Sequence, residues 1–139
     1  MFFGTYKHNL DPKNRIIMPA KFREELGDTF FVTKGLSNCL WVMSAEKWTV
    51  FVDQISARPA PEANVLQHYF FAGADQVTPN AQGRFVVKDE LREFAELEKE
   101  VAIVGAGKQV EIWSGSNWDK ISGSASQQDI AELMKNITF

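Results

Sequence analysis

Short apolar runs alternate with polar turns along this chain, and the pattern occurs twice. Ile16-Ile-Met18 follows the polar stretch Asp11-Pro-Lys-Asn14, and Phe85-Val-Val87 follows Asn80-Ala-Gln-Gly83. Asp in first place and Pro in second suit a type I turn, while Asn14 and Gly83 are both residue types that tolerate positive φ. Each turn should therefore feed a short strand. A helix follows, with Pro19 at its first position, Phe22 and Leu26 four apart, and Gly27 as its stop. Its counterpart starts near Asp89 and should bury Leu91 with Phe94 or Ala95. Phe30–Thr33 and Val101–Val104 read as core strands, each joined through a Gly-containing turn to a second strand, Leu40–Met43 and Val110–Trp113. Ser44 or Ser116 then starts a helix bearing Trp48 or Trp118, and Ser116-Asn-Trp-Asp119 fits a capping box. Thr5–Leu10 is a further short strand, although Lys7-His8-Asn9 weakens its β-propensity.

The two copies can be aligned residue by residue. Asp11 to Glu24 matches Asn80 to Glu93 at an offset of 69, and Val32–Gly35 matches Ala102–Gly105 at 70. Leu40–Val42 then matches Val110–Ile112, and Trp48 matches Trp118. Two units are too few for a solenoid, and halves of about 45 residues bury too little surface to stand alone. The chain is therefore read as an α+β fold of two related halves sharing a core, residues 5–48 and 76–121. Between them, Arg58-Pro-Ala-Pro-Glu62 breaks the chain, and Val65, Leu66, Tyr69 and Phe70 share a helical face that should pack on the core (region 58–75). Ser122–Ser126 reads as a flexible linker. Ile130, Leu133, Met134 and Ile137 give the tail (122–139) an apolar stripe fit for this chain or a neighbour.

Composition supports a globular protein, with 45% apolar and 24% charged residues in 139. The single cysteine, Cys39, excludes an intrachain disulfide and reads as a buried, inert thiol. No apolar run reaches the roughly 18 residues a membrane span needs, and the N-terminus has no secretory pattern, so a cytoplasmic location is expected. The net charge of −3 argues against a general polyanion binder. Its distribution is more informative. Lys7, Lys13, Arg15, Lys21, Arg23 and Lys34 outnumber the acidic residues of segment 1–36, whereas acidic residues prevail in 77–115. The first copy is thus the better candidate for an anionic partner.

Candidate chemistry is sparse. His8 and Asp11 are near in sequence, but a strand followed by a turn does not specify a shared pocket, and no Ser or Cys sits in a nucleophile elbow. No catalytic residue is assigned. One Cys and two separated His, His8 and His68, give no metal-ligand spacing, and no cofactor or small-molecule substrate is indicated. Gly105-Ala-Gly-Lys108 lacks Walker spacing and runs into a strand, so it reads as a hairpin turn. Asp11 and Arg15 leave two roles open. They can close the turn as a local ion pair, of little worth if exposed. Alternatively, the loop presents Arg15 to guanine O6 and N7 and Lys13 to phosphate.

Taken together, Phe3-Gly-Thr-Tyr-Lys-His8, Asp11-Pro-Lys-Asn-Arg15 through Leu26, Gly35…Cys39-Leu40, Tyr69–Ala74 and Val104-Gly-Ala-Gly…Glu-Ile-Trp113 resemble the MraZ family. These are bacterial transcriptional regulators with two SpoVT-AbrB-type domains, and the resemblance covers about residues 1–121, leaving the tail from Ser122 outside it. It implies two pseudo-symmetric swapped-hairpin half-barrels fused in one chain and a ring-shaped homo-oligomer. It also implies a nucleoid-associated regulator, commonly a repressor, on promoter direct repeats of the division and cell-wall gene cluster. Double-stranded DNA is then the partner. The family's Asp-x-x-x-Arg loop is kept as Asp11 and Arg15, and becomes Asn80 and Arg84 in the second copy. DNA contact is carried onto Arg15 and Lys13, with Lys7 on the same basic segment, Asp11 shaping the loop, and Arg84 more weakly. The alternative is a protein-interaction module of antitoxin-like type.

Overall fold

The computed structural model describes residues 1–139. Its fourteen elements run β1 (Thr5–Asn9), β2 (Arg15–Ile17), α1 (Ala20–Leu26), β3 (Phe30–Lys34), β4 (Leu40–Ser44), α2 (Ala45–Ser56) and α3 (Ala60–Phe70). There follow β5 (Asp75–Val77), β6 (Arg84–Val86), α4 (Asp89–Phe94), β7 (Glu100–Gly105), β8 (Val110–Ser114), α5 (Gly115–Ser122) and α6 (Gln127–Leu133). The α+β class expected from the sequence is the one observed. Six strands form an antiparallel sheet in the order β1-β7-β8-β4-β3-β5, and β2 and β6 form a separate two-stranded ribbon.

The sheet order reads the same from both edges once the copies are exchanged. Each copy's first strand is added to the other copy's hairpin: β1 runs beside β7, with Thr5 opposite Val104, and β5 runs beside β3, with Val77 opposite Phe30. The ribbon joins the copies again, with Ile16 opposite Phe85. Neither half could close its sheet alone, which is why the core is shared.

That core lies between one face of the sheet and a lid made of the ribbon, α1 and α4. Ile16, Met18, Phe22 and Leu26 meet Phe85, Val87, Leu91 and Ala95 over Phe30, Val32, Val101 and Ile103. Phe22 and Leu26 are almost fully buried, each worth about 1.5–3 kcal/mol. Gly27 ends α1 at φ +84°, its N–H donating to the Arg23 carbonyl. Pro19 stands just before α1, with extended ψ, one place earlier than the sequence suggests.

The opposite sheet face carries aromatic residues. Trp41 stacks on Phe70 of α3 at 5.5 Å, Phe31 stacks on Trp48 of α2 at 4.9 Å, and Trp113 meets Trp118 of α5 at 5.9 Å. The linker helix therefore packs on the sheet as expected, tied by Tyr69 donating to the Gly35 carbonyl at 2.7 Å. Val65 departs from the expectation: it is 68% exposed, and Ala63 takes the buried place beside Phe70.

Three sequence expectations are corrected. First, the helix after β8 is capped by Ser114, whose hydroxyl accepts from the Asn117 amide at 3.0 Å, and not by Ser116. Ser114 matches Ser44, which caps α2 in the same way. Second, a capping box does form, but at Ser126 and Asp129 in the tail.

Third, the strand alignment shifts by one residue. Phe30 and Val101 occupy equivalent places, opposite Ser44 and Ser114, and Lys34 matches Gly105, not Val104. Core alternation decides this, since Phe30 and Val32 face the core as Val101 and Ile103 do. The extra residue before β7 is given back in a shorter hairpin loop. That hairpin, Gly105–Val110, is the turn that its lack of Walker spacing predicts.

The tail forms α6 with no buried residue, and Ile130, Leu133, Met134 and Ile137 are all exposed. No helix is long and apolar enough to cross a membrane.

Candidate nucleic-acid interface

The first turn is built around one carboxylate. Asp11 Oδ1 accepts from the Lys13 and Arg15 amides, both at 2.9 Å, and Oδ2 accepts from Arg15 Nε at 2.7 Å. The Asp11 N–H in turn donates to the Arg15 carbonyl at 3.0 Å. Asn14 takes the left-handed conformation the turn requires, at φ +59°. Hydrogen bonds to the anion, first from the Arg15 backbone and then from its guanidinium and the Lys13 amide, hold the Asp11 carboxyl below its usual range. The ion pair fixes Arg15 through Nε only, so its two terminal nitrogens remain free to donate outward.

The second turn keeps the scaffold without the charge. Asn80 Oδ1 accepts from the Gln82 and Arg84 amides at 3.0 and 2.9 Å, and Gly83 adopts φ +83°. Arg84 has no carboxylate partner; one of its terminal nitrogens donates to Gln82 Oε1 at 2.9 Å.

The ribbon brings the two turns to one surface. Ile16 and Phe85 point into the core, so their neighbours point out: Arg15 opposite Val86, and Ile17 opposite Arg84. The two arginines sit at diagonal corners of this outer face and line one shallow depression with Asp75, Gln76, Thr78 and Asn80. Sequence reasoning separated them by the charge of their halves; strand pairing brings them together. Lys13 lies on the first turn, exposed and without an ion-pair partner. Lys7 is elsewhere. It sits on β1 at the sheet edge, its ammonium 3.9 Å from Asp119, and lines a different depression with His8 and Glu100.

Two flat cationic forks about one ribbon, with a lysine beside them, suit a phosphate-lined groove and base edges better than a small molecule. The other chemistry-bearing residues do not converge. Cys39 is buried, its Sγ 3.0 Å from the Leu36 carbonyl, and burial, helped by Glu111, pushes its thiol up to about 12. It is the inert thiol expected. No three of the His, Cys, Asp and Glu side chains come close enough to hold a metal ion.

Sequence reasoning gave Arg23 no role beyond its charge and passed over Gln82. Gln82 gives no signal beyond its place in the turn. Arg23 does, because Arg92 repeats it at the offset of the turn arginines.

Similarity to known proteins fits this arrangement. The model of the family described as “MraZ protein, putative antitoxin-like” matches the chain twice, at residues 1–67 and 70–137. A transcriptional regulator MraZ of Acetivibrio thermocellus is 44% identical over 138 residues, covering 96% of both chains. That of Heliobacterium modesticaldum is 45% identical over the same shares, and that of Halothermothrix orenii is 42% identical over 99% of both. These matches run through the tail, which the sequence resemblance had left outside: α6 lies in the second match, as most of α3 lies in the first. Matched in both of its halves and over nearly its whole length, the chain belongs to the MraZ family.

Proposed function

We propose that this chain is a sequence-specific DNA-binding transcriptional regulator that acts as a repressor and is not an enzyme. The outer face of the β2–β6 ribbon, with its two turns, meets duplex DNA. The observation that carries this reading is the placement of Arg15 and Arg84 on one exposed face, their turns held by Asp11 and Asn80. The names of the relatives support it. In this reading Arg15 pairs with a guanine, Lys13 contacts phosphate, Asp11 shapes the loop, and Arg84 adds a weaker contact because Gln82 shares its hydrogen bonds. Lys7, facing Asp119, supplies flanking attraction to phosphate only.

The proposed assembly is a homo-oligomeric ring of SpoVT-AbrB-type half-barrels, acting in the nucleoid on promoter direct repeats of division and cell-wall genes. A net charge of −3 makes one protomer a poor DNA binder, so several ribbons engaging successive repeats supply the affinity. The exposed apolar side of α6 supports docking on an adjacent subunit. The same exposed helix favours the second reading, an antitoxin-like module whose tail folds onto another protein. A mobility-shift titration on a duplex from upstream of the chain's own gene separates the two. The DNA reading predicts retardation that survives excess scrambled duplex and weakens steeply with salt. Equal affinity for both duplexes would sink it.

A further inference from the structure

The two turns differ in what holds them, and the difference lies in the other repeat. The first turn has its own clamp, the Asp11–Arg15 ion pair. The second has lost that carboxylate, and a side chain from the first repeat reaches it instead. Arg23, in the last turn of α1, donates from Nε to the Met18 carbonyl at 3.0 Å. The Met18 amide donates in turn to the Gly83 carbonyl at 2.9 Å. The guanidinium lies directly against the Gly83 backbone: a Cβ there would stand 2.7 Å from Arg23 Cζ and 2.8 Å from Nε. Gly83 is favoured by its φ of +83°, and its bare Cα leaves the space that the guanidinium occupies. Arg23 also lines a depression with Thr78, Pro79, Asn80 and Ala81, so it borders the whole entry to the turn.

The backbone tie is reciprocal, the Val87 amide donating to the Asn14 carbonyl at 3.0 Å, but the side-chain contact is not. Arg92, the matching residue of α4, is drawn to Asp89, to which a terminal nitrogen donates at 2.7 Å, and its Nε is buried without a partner. Ala20 stands where Asp89 does, so nothing competes for Arg23. The first turn, for its part, has Asn14 where the second has Gly83, and its side chain denies a guanidinium the same approach. Carboxylate, asparagine and alanine in one copy thus face asparagine, glycine and aspartate in the other. The three differences agree in direction: the first turn is clamped by its own side chains, and the second gains a side-chain contact from across the repeat boundary.

We infer that Arg23 is a positioning residue for the second turn, setting the conformation of Asn80–Gly83 and hence the direction in which Arg84 presents its guanidinium. The first repeat then shapes both halves of the ribbon face. The inference rests on the DNA-binding reading only for its consequence in affinity; the coupling itself is a property of the free protein.

The test has an arm for each. In the free protein, amide hydrogen exchange of Arg23→Ala should be faster at Gln82 and Arg84, by about three- to tenfold, and unchanged at Lys13 and Arg15. Arg92→Ala should leave the Gln82 and Arg84 amides as they are. Uniform acceleration of both turns, or of neither, would overturn the inference, whether or not the protein binds DNA. On the upstream duplex, Arg23→Ala should weaken binding about three- to tenfold in the parent and in an Arg15→Ala background, with no further loss in an Arg84→Ala background. Arg23→Lys keeps the charge but neither the plane nor the Nε donor, so it should behave as Arg23→Ala. Full rescue by lysine, or additive losses with Arg84→Ala, would make Arg23 a direct phosphate contact and overturn the positioning role.

Discussion

Replacing Arg15 with alanine separates the ribbon's work in folding from its work in binding. The side chain is 35% exposed and its one intramolecular partner is Asp11, so its removal breaks an accessible ion pair and opens no cavity. That loss should cost folding less than about 1 kcal/mol, a shift of only a few degrees in melting temperature. Binding should suffer more. Nε is occupied by Asp11, and the terminal nitrogens supply the pair of donors a guanine edge accepts. Losing such a bidentate contact costs about 1–3 kcal/mol, or roughly 5- to 150-fold in affinity. Asp11→Asn offers an internal control. Asn80 shows that an amide still accepts from both turn amides, so the backbone should keep its shape while Arg15 is loosened, and the loss should fall between parent and Arg15→Ala. The assay is fluorescence anisotropy on the upstream duplex and a scrambled one, beside a thermal melt. Parent-like affinity for Arg15→Ala would refute the assignment of the contact. Loss of affinity together with a collapsed melting temperature would refute the claim that the ion pair is dispensable for the fold.

The remaining expectations follow from single contacts. Arg84→Ala should reduce affinity less than Arg15→Ala in the same titration, because Gln82 already takes part of its donor capacity; equal losses would show two equivalent forks. Gly105→Ala should destabilise the fold by about 2–3 kcal/mol in a denaturant melt, since a Cβ there would lie 2.3–2.6 Å from the Phe2–Phe3 backbone, which bridges to Gly107. The carboxyl of Asp11 is depressed, so its contribution is complete above the usual carboxylate range and fades as pH falls through its lowered value; an NMR titration should show the Arg15 amide following that step, and Asp11→Asn abolishing it. Ending the chain at Gly123 should lower the assembly mass by light scattering while the protomer keeps its melting temperature, because α6 buries nothing within its own chain. Docking Leu133 on a neighbour would be worth up to about 1.5–3 kcal/mol before ordering costs, and the half-covered Ile130 about half of that.

Local chemistry was readable wherever one residue decides the backbone. Gly27 ends α1, Asn14 and Gly83 take positive φ, and Ser44 caps α2, each as its residue type demands. The 3.6-residue spacing of Phe22 and Leu26 and the repeat itself gave the elements and the shared core. What sequence could not supply was pairing between distant strands. The charge difference between the copies favoured the first as the contact for an anionic partner, yet the ribbon register puts Arg15 and Arg84 on one face, because residues flanking Ile16 and Phe85 must point outward together. The strand alignment slipped by one because Gly35 and Gly105 look equivalent in sequence. Core alternation, visible only with both copies in place, sets Lys34 against Gly105. Helical spacing alone places Val65 on the buried face, whereas Ala63 and Phe70 are the residues of α3 that are buried. The Arg23–Gly83 contact crosses the repeat boundary, and no local pattern announces it.

The central claim is that DNA meets the outer face of the β2–β6 ribbon, and hydrogen exchange with and without the upstream duplex tests it most directly. Bound DNA should slow exchange at residues 11–17 and 80–86, and leave the α2–α3 aromatic face and the β1 edge bearing Lys7 as they were. Protection centred on α2, α3 or the Lys7 edge, with the ribbon unaffected, would contradict it.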